Sequence, residues 1–338
     1  MGKIYIQTAQ QISIQNPLTD EWFTNPIGFD KTYVRAIDPN FRQYLDPMQS
    51  RRMGKILKRA LVTAIKSVND SGMEMPDAVI TGTGLGCIEN TELFLGQLCR
   101  EGEEMLKPTY FMQSTHNTIS SQIGIHLKCH GYNTTYSHKS ISFDSALLDA
   151  VTQIILGDIT NALVCGNDEM TPSYFGILKR TGYVGQVGEV VCGETSVSMT
   201  INTESKNNMC EISGIKMLYM PSCDNIYTAI KDMLSDTSIN TPDAIMCGIN
   251  GTSDNDRLYD VINSRYPTAA LLHYKHIFGE CYSASSLGVY ASAYCLSKGV
   301  VPSFMRYDRN ESTLVRNILV VNHSDERNIS LILLKSCL

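Results

Sequence analysis

The first residues that could carry chemistry lie in YSHKSISFDSALLDA, residues 136–150, which has the pattern of a strand end, a sharp turn and a buried helix. Ser140 lies in the turn. A serine hydroxyl becomes a good nucleophile only beside a general base, and His138 is the nearest candidate. The alternative is structural: Ser140 caps backbone N–H groups at the helix start and His138 is a polar turn residue. The stretch alone leaves both interpretations open.

The elements around this turn would have to position it. The helix from Phe143 to Ile155 is apolar on nearly every face, which predicts burial, and it ends at Gly157. The run ALVCG, residues 162–166, then predicts a buried strand. An earlier helix has an apolar stripe from Met53 to Ala64. We expect its basic residues to project outwards: Arg51, Arg52, Lys55, Lys58 and Arg59.

One pattern occurs twice, as TAIKSVNDSGMEMPDAVITGTG (63–84) and TAIKDMLSDTSINTPDAIMCGING (228–251). Each copy begins TAIK, passes through a helix end and a polar turn, and reaches PDA before a strand and glycines. The repeat predicts two similar α/β halves. We place them at residues 1–185 and 186–338, because glycines punctuate the turn-rich stretch GYVGQVG at 182–188.

Composition narrows the classes of function. The chain has 338 residues, of which 43% are hydrophobic and 18% charged, which suits a compact protein with a large core. A net charge of −6 argues against binding to nucleic acid or anionic membranes, and no apolar run is long enough to span a bilayer. The eleven cysteines form no CxxC pair, so we expect no metal site and a reduced, cytoplasmic protein.

Six segments, in their order along the chain, resemble motifs of the β-ketoacyl synthase family. They are GTGLGC (82–87), LKPTYFMQSTHNTISSQIGIHLKCHGYNTTYS (106–137), SALLDAVTQIILGDITNALVCGNDEMT (145–171), CGETSV (192–197), NGTSDND (250–256) and KHIFGECYSASSLG (275–288). GTGLGC lacks the third glycine and the acidic residue of a dinucleotide fingerprint, so we expect no cofactor. The resemblance implies an α/β, thiolase-like α/β/α/β/α layered fold, with two pseudo-duplicated halves around two central sheets.

The resemblance also implies where catalytic groups would lie. The family places a nucleophilic cysteine seventeen residues before the glycine that ends its helix, which selects Ser140, or Ser142 after a register slip. Its two histidines fall at Asn250 and Glu280, and only the motif lysine remains, as Lys275. Asparagine is neither acid nor base, and a carboxylate has the wrong sign for stabilising an enolate.

Other positions keep two interpretations. Glu280 is either a general base or one half of an ion pair with Lys275. His116 and Asn117 either line a pocket, touch a dimer partner or are ordinary loop residues. NHSDERNIS (322–330) stands where the family has a glycine-rich gate, with Asn328 and Ser330 as possible remnants.

More narrowly, the chain resembles ketosynthase-like proteins of aryl-polyene and flexirubin pigment clusters, which are counterparts of chain-length factors. This implies a catalytically degenerate subunit that pairs with an active ketosynthase, or with itself, through an edge strand at 134–139. It also implies an acyl-carrier protein held by Arg51 and Arg52, which are otherwise a solvated face. The alternatives are an acyltransferase or condensing enzyme with an unusual nucleophile, Ser140 or a cysteine brought in by folding, and a carrier-binding scaffold.

Overall fold

The computed structural model describes residues 2–104, 106–184, 190–251, 253–307, 313–324 and 327–338. Its strands are β1 Ile4–Ile12, β2 Ala78–Gly82, β3 Tyr132–Tyr136, β4 Asn161–Asp168, β5 Thr195–Asn202, β6 Cys210–Tyr219, β7 Ala244–Cys247, β8 Ala270–His273, β9 Val300–Val301, β10 Thr313–Leu314, β11 Asn317–Ser324 and β12 Asn328–Ser336. Its α-helices are α1 Pro47–Ser50, α2 Lys55–Ser71, α3 Ile88–Glu101, α4 Pro108–Ser114, α5 Thr118–Leu127, α6 Ser142–Leu156, α7 Pro172–Arg180, α8 Cys223–Asp236, α9 Ser253–Arg265, α10 Lys275–Phe278 and α11 Ala284–Lys298.

The order of the strands confirms the duplication predicted from the repeat. Ten strands follow one another as β3-β2-β4-β5-β1-β6-β12-β11-β7-β8. Counted from either edge, the first half reads β3-β2-β4-β5-β1 and the second half reads β8-β7-β11-β12-β6, which is the same order of equivalent strands. The sheets of the two halves are continuous, because Ile4–Ile6 of β1 pairs with Cys210–Ile212 of β6.

The repeated PDA motif does the same structural job in each half. Asp77 Oδ2 accepts hydrogen bonds from the backbone N–H of Asn161 and from its side-chain amide, at 3.2 and 3.1 Å. Asp243 Oδ2 binds the same two groups of Asn317, at 3.1 and 2.9 Å. Each asparagine side-chain oxygen accepts from the aspartate N–H in return, at 3.0 and 2.9 Å. The motif therefore fastens the start of β2 to β4, and the start of β7 to β11.

Three groups of buried apolar side chains give the five layers. The central group lies between the two half-sheets and includes Phe143 and Leu147 of α6 with Leu287 and Ala291 of α11. One outer group packs α2 and α5 on the first half-sheet, and the other packs α8 and α9 on the second. The order helix, sheet, helix, sheet, helix confirms the predicted α/β/α/β/α fold. Among the described residues, no helix combines the length and the apolarity needed to cross a membrane.

The helix with the apolar stripe differs from its prediction in two respects. It begins at Lys55 rather than at Arg51, because Arg51 and Arg52 form an exposed turn after α1 and Gly54 is the N-cap. Arg59, expected to project outwards, is buried with 2% of its surface exposed. A charged residue can be buried on this face because two carboxylates meet it there, and the sequence pattern does not show them.

The sheet edge and the boundary between the halves were also predicted. The edge strand is β3, which covers Tyr132–Tyr136 rather than 134–139, because Lys139 already lies in a turn with a positive φ of 52°. The boundary at 185/186 falls within residues 185–189, outside the described residues, and stays a prediction. The strand order adds that β5, which follows it, lies between β4 and β1.

Candidate functional site

Ser140 lies in a single 3₁₀ turn, Lys139–Ile141, between β3 and α6. The turn is sharp because Lys139 adopts a left-handed backbone conformation. Helix α6 ends at Gly157, as predicted, and this glycine is also left-handed. No side chain caps the N-terminus of α6, so Ser140 does not have the capping role considered for it. Ser142 is the structural serine: its hydroxyl accepts from His138 N at 2.8 Å and donates to the Lys139 carbonyl at 2.7 Å.

One cavity brings together the four residues singled out from the sequence: Ser140, Asn250, Lys275 and Glu280. Its other lining residues are Met170, Leu178, Tyr183, Val184, Cys192, Cys281, Tyr282 and His323. They come from both halves of the chain and meet where strands of the two half-sheets end. The space open to the centres of water-sized molecules is about 50 Å³, which holds a few waters.

Lys275 and Glu280 form an ion pair inside this cavity. Lys275 Nζ lies 2.6 Å from Glu280 Oε2, and the two side chains are 7% and 17% exposed. Asn250 Nδ2 donates to the same carboxylate oxygen at 3.5 Å. The ion pair considered from the sequence is therefore present, and the carboxylate of Glu280 faces two donors rather than a proton to abstract.

The backbone fixes the root of the Glu280 side chain. Its N–H donates to the Val191 carbonyl at 2.7 Å, and its carbonyl accepts from Gly193 N at 2.9 Å. Val190 N donates to the Asn250 carbonyl at 3.0 Å, so the segment at residues 190–193 spans both walls. The extended segment at residues 190–193, which includes the first two residues of CGETSV, is therefore hydrogen-bonded to the backbone of both Asn250 and Glu280.

Histidines occupy different places from those weighed in the sequence. His138 Nδ1 lies 2.9 Å from Ser145 Oγ, so its observed partner is a helix serine rather than Ser140. His323, which the sequence analysis missed, is buried at the end of β11 and lines the cavity, with its ring centroid 5.3 Å from that of Tyr259. The sequence signal that could have identified His323 is the run ILVVNH, an apolar strand that ends in polar residues. The end of this strand lies at the same edge of the sheet as the other site residues.

Residues of the second half hold the turn that carries Ser140. Asn322 Nδ2 donates to the Ser140 carbonyl at 2.7 Å and to Asp144 Oδ2 at 3.3 Å. Ser330 Oγ donates to Asp144 Oδ1 at 2.5 Å, while Asn328 lies at the start of β12 opposite Ser324. Burial raises the pKa of Asp144. Ser330 therefore supports the turn indirectly, through its hydrogen bond to Asp144. Residues 325 and 326 of the predicted gate segment lie outside the described residues.

The glycine turn GTGLGC is filled by a side chain of the protein itself. The buried carboxylate of Asp168 accepts from Gly84 N at 2.9 and 3.0 Å and from Leu85 N at 2.8 Å. It also accepts from Thr83 Oγ1 at 3.1 Å and from the Ser283 hydroxyl. Burial raises the pKa of this carboxyl group. The turn N–H groups that a nucleotide phosphate would need are thus engaged, in line with the expectation that this is no dinucleotide site.

Two cysteines reach the cavity, Cys192 and Cys281, and both are buried. A nucleophilic cysteine needs a lowered pKa to supply thiolate at neutral pH. Burial raises the pKa of the Cys281 thiol well above its ordinary value, which is the opposite direction. Folding therefore brings a thiol to the site, but Cys281 is not an activated one.

A buried ion-pair network supports one wall of the cavity. Arg59 donates through Nη1 to Glu194 Oε2 at 2.8 Å and through Nε to Asp38 Oδ1 at 2.5 Å. Glu194 also accepts from Ala36 N at 2.8 Å and from Met170 N at 3.3 Å. Met170 lines the cavity, so the network ties α2 and the N-terminal segment to that wall.

The candidate docking residues lie away from the cavity. Arg51 and Arg52 are exposed, and the Arg52 carbonyl accepts from Gln113 Nε2 of α4 at 2.9 Å. His116 and Asn117 are exposed as well and are not among the residues that line the cavity; His116 packs against Gly86. These two residues therefore take no part in lining this cavity.

Comparisons with known proteins agree with this geometry. The family model described as "Beta-ketoacyl synthase, N-terminal domain" matches residues 22–231, more than half of the chain. A 3-oxoacyl-[acyl-carrier-protein] synthase 2 from Staphylococcus aureus is 23% identical over 144 residues, which is 41% of this chain and 34% of that protein. The match thus spans about a third of the length of the curated relative.

Solved structures match the fold over almost the whole chain. The ishigamide ketosynthase/chain length factor has a TM-score of 0.83 at 18% identity, with 99% of each chain covered. A β-ketoacyl synthase from Burkholderia phymatum STM815 has 0.81 at 14% identity, covering 99% of this chain and 100% of that one. The ketosynthase ApeO in complex with its chain length factor ApeC, from Xenorhabdus doucetiae, has 0.80 at 14%, covering 99% and 98%. From the family match and the shared fold, we conclude that the chain belongs to the β-ketoacyl synthase family.

Proposed function

We propose that this chain is a catalytically degenerate β-ketoacyl synthase subunit, which pairs with an active ketosynthase in the manner of a chain-length factor. Its pathway would be fatty acid, polyketide or aryl-polyene-type biosynthesis, its carrier an acyl-carrier protein and its compartment the cytoplasm. Two of the structurally similar proteins are themselves described as a ketosynthase with a chain length factor.

One observation carries the proposal: the cavity holds Ser140, Asn250 and a Lys275–Glu280 ion pair at the positions that resemble the catalytic set. Decarboxylative condensation needs a thiolate to take the acyl chain and donors that stabilise the enolate oxygen. Without a base hydrogen-bonded to it among the described residues, the Ser140 hydroxyl is a weak nucleophile. The Glu280 carboxylate would repel the negative charge of an enolate. Lys275 could offer positive charge, but Glu280 neutralises it.

A second candidate function follows from His323, which shares the cavity with Ser140. If it served as the base for the serine, the chain would be an acyltransferase that forms an ester on Ser140. Intact-protein mass spectrometry after incubation with an acyl-carrier protein distinguishes the two. A stable acyl adduct that disappears in Ser140→Ala would favour the acyltransferase, and an unmodified mass favours the degenerate subunit.

Association tests the partner role. We expect the chain to form a heterodimer with a ketosynthase that retains its cysteine and both histidines and is encoded beside it, measured by sedimentation at micromolar concentration. A ketosynthase from an unrelated pathway, which should not bind, is the control. Carrier binding without any ketosynthase complex would instead favour the scaffold.

Restoring the nucleophile alone should not restore condensation. Residues of a catalytic unit act together, so Ser140→Cys would still lack both histidines. We expect the variant to react with a cysteine-directed inhibitor yet to form no condensation product, with Ser142→Cys as the matched control because Ser142 is fully buried. Condensation by the single Ser140→Cys variant would show that the assignment of Asn250 and Glu280 is wrong.

A further inference from the structure

The cavity contains two hydrogen-bond donors that converge on one oxygen. Lys275 Nζ and Asn250 Nδ2 lie 2.6 and 3.5 Å from Glu280 Oε2. They come from different elements, Lys275 from the first turn of α10 and Asn250 from the loop after β7. A cation and an amide aimed at one negatively charged oxygen are the arrangement by which proteins bind carboxylates and stabilise oxyanions.

The oxygen they hold belongs to the protein. Glu280 is fixed on both sides by backbone hydrogen bonds to residues 191 and 193, and Gly279 before it adopts a positive φ of 87°. The side chain therefore starts from a constrained position and reaches the two donors with 17% of its surface exposed. Because the backbone is already ordered, holding the carboxylate in place costs only the rotamer entropy of one side chain.

We propose that Lys275 and Asn250 form an anion-binding site for small carboxylates, and that the Glu280 carboxylate occupies it as a built-in blocking ligand. This inference rests on the proposed function and adds a cause to it. The subunit lacks condensing groups, and in addition it excludes a substrate carboxylate from the only ammonium group that lines this cavity among the described residues. A free carboxylate would have to displace a tethered one.

The test removes the tethered carboxylate and supplies it from solution. Glu280→Ala deletes the atoms of one acetate ion beyond Cβ, so acetate is the matched probe and neutral acetamide its control. Binding is measured by calorimetry at constant ionic strength, with the fold checked by circular dichroism. We expect acetate to bind Glu280→Ala at least about tenfold more tightly than it binds the wild type, since a buried charge-assisted hydrogen bond is worth a factor of this order. Acetamide should not bind.

The double variant Glu280→Ala/Lys275→Met identifies the site. It should lose the acetate affinity that the single variant gains. Equal acetate affinity in the wild type and Glu280→Ala, or full affinity in the double variant, would overturn the proposal. If Glu280→Ala is unfolded alone, acetate and not acetamide should restore its circular dichroism spectrum, and failure of that rescue would also overturn it.

The outcome is separable from that of the proposed function. Acetate binding requires no condensation, no carrier and no partner subunit. Condensing activity in the wild type would refute the degenerate-subunit proposal whatever acetate does. An inactive wild type whose Glu280→Ala variant ignores acetate would refute only the blocking role of Glu280.

Discussion

Replacing Arg59 by methionine tests whether the buried ion pairs stabilise this fold. Met is unbranched and uncharged and reaches about as far as the Nε atom of Arg, so the change removes the guanidinium and keeps the packing of the aliphatic stem. In the wild type the group is 2% exposed and bonds to Asp38 and to the equally buried Glu194. Its removal leaves the Glu194 carboxylate buried, with the half-exposed Arg35, whose Nε lies 4.0 Å from Oε1, as the cation that remains beside it.

The size of the effect follows from this burial. Breaking a buried pair on one side costs about 3–5 kcal/mol. Glu194 keeps its hydrogen bonds from Ala36 N and Met170 N, so we expect the lower end, about 3 kcal/mol. For 338 residues with an unfolding entropy of about 2.1 cal/mol/K per residue, that loss lowers Tm by about 4 °C.

The assay is urea and thermal unfolding, followed by circular dichroism and by the fluorescence of Trp22, the only tryptophan, which is buried and bonds to Tyr290. Arg52→Met is the matched control, because Arg52 is exposed and its loss should stay within about 0.5 kcal/mol. Arg59→Met/Glu194→Gln should recover part of the loss. An Arg59→Met effect as small as that of the control would refute the reasoning.

Three further outcomes follow from the charges and the sheet edge. Burial raises the pKa of Glu169 to about 8, so stability from its protonated form is complete below its unfolded pKa of about 4.5 and is lost as pH rises through 8. The unfolding free energy of the wild type should therefore fall relative to Glu169→Gln by up to about 1.4 kcal/mol per pH unit between about pH 5 and 8, and parallel curves would contradict this. Arg51→Glu/Arg52→Glu should weaken acyl-carrier binding several-fold at low salt and less at high salt; equal affinities at both salts would leave only a solvated turn. Finally, the edge strand β3 should pair across a dimer interface of more than about 2,000 Å². A monomer in sedimentation, with and without a ketosynthase, would count against that pairing.

The layers of the fold were implied by the resemblance to the β-ketoacyl synthase family and supported by the internal repeat, and local patterns predicted several of the elements in them. The apolar faces of α6 predicted a buried helix, Gly157 predicted its end, and the run ALVCG predicted a buried strand. The TAIK…PDA repeat predicted that the two halves are alike. The resemblance implied that Ser140, Asn250, Lys275 and Glu280 belong to one site, and the structure places all four on one cavity.

What could not be predicted depends on contacts between distant segments. Arg59 fits an outward helical face by its spacing, yet Glu194, 135 residues later, meets it there and buries it. The run ILVVNH indicates a polar strand end, but His323 reaches this cavity through the pairing of β11 with β7, two strands that are far apart in the sequence. Ser140 was considered as the cap of α6, but the N-cap position is Ile141 and makes no side-chain hydrogen bond. Ser142 contacts the turn instead, by donating its hydroxyl to the Lys139 carbonyl.

The central claim is that this chain does not catalyse condensation, and the direct measurement is product mass over time with malonyl- and acyl-loaded carrier protein and the purified chain alone. An active ketosynthase assayed in parallel shows that the substrates are competent. The account predicts no β-ketoacyl product from the chain alone, and a trace of decarboxylation would not alter it. Product formation in the ordinary enzyme range, about 1 per second or faster, would contradict it.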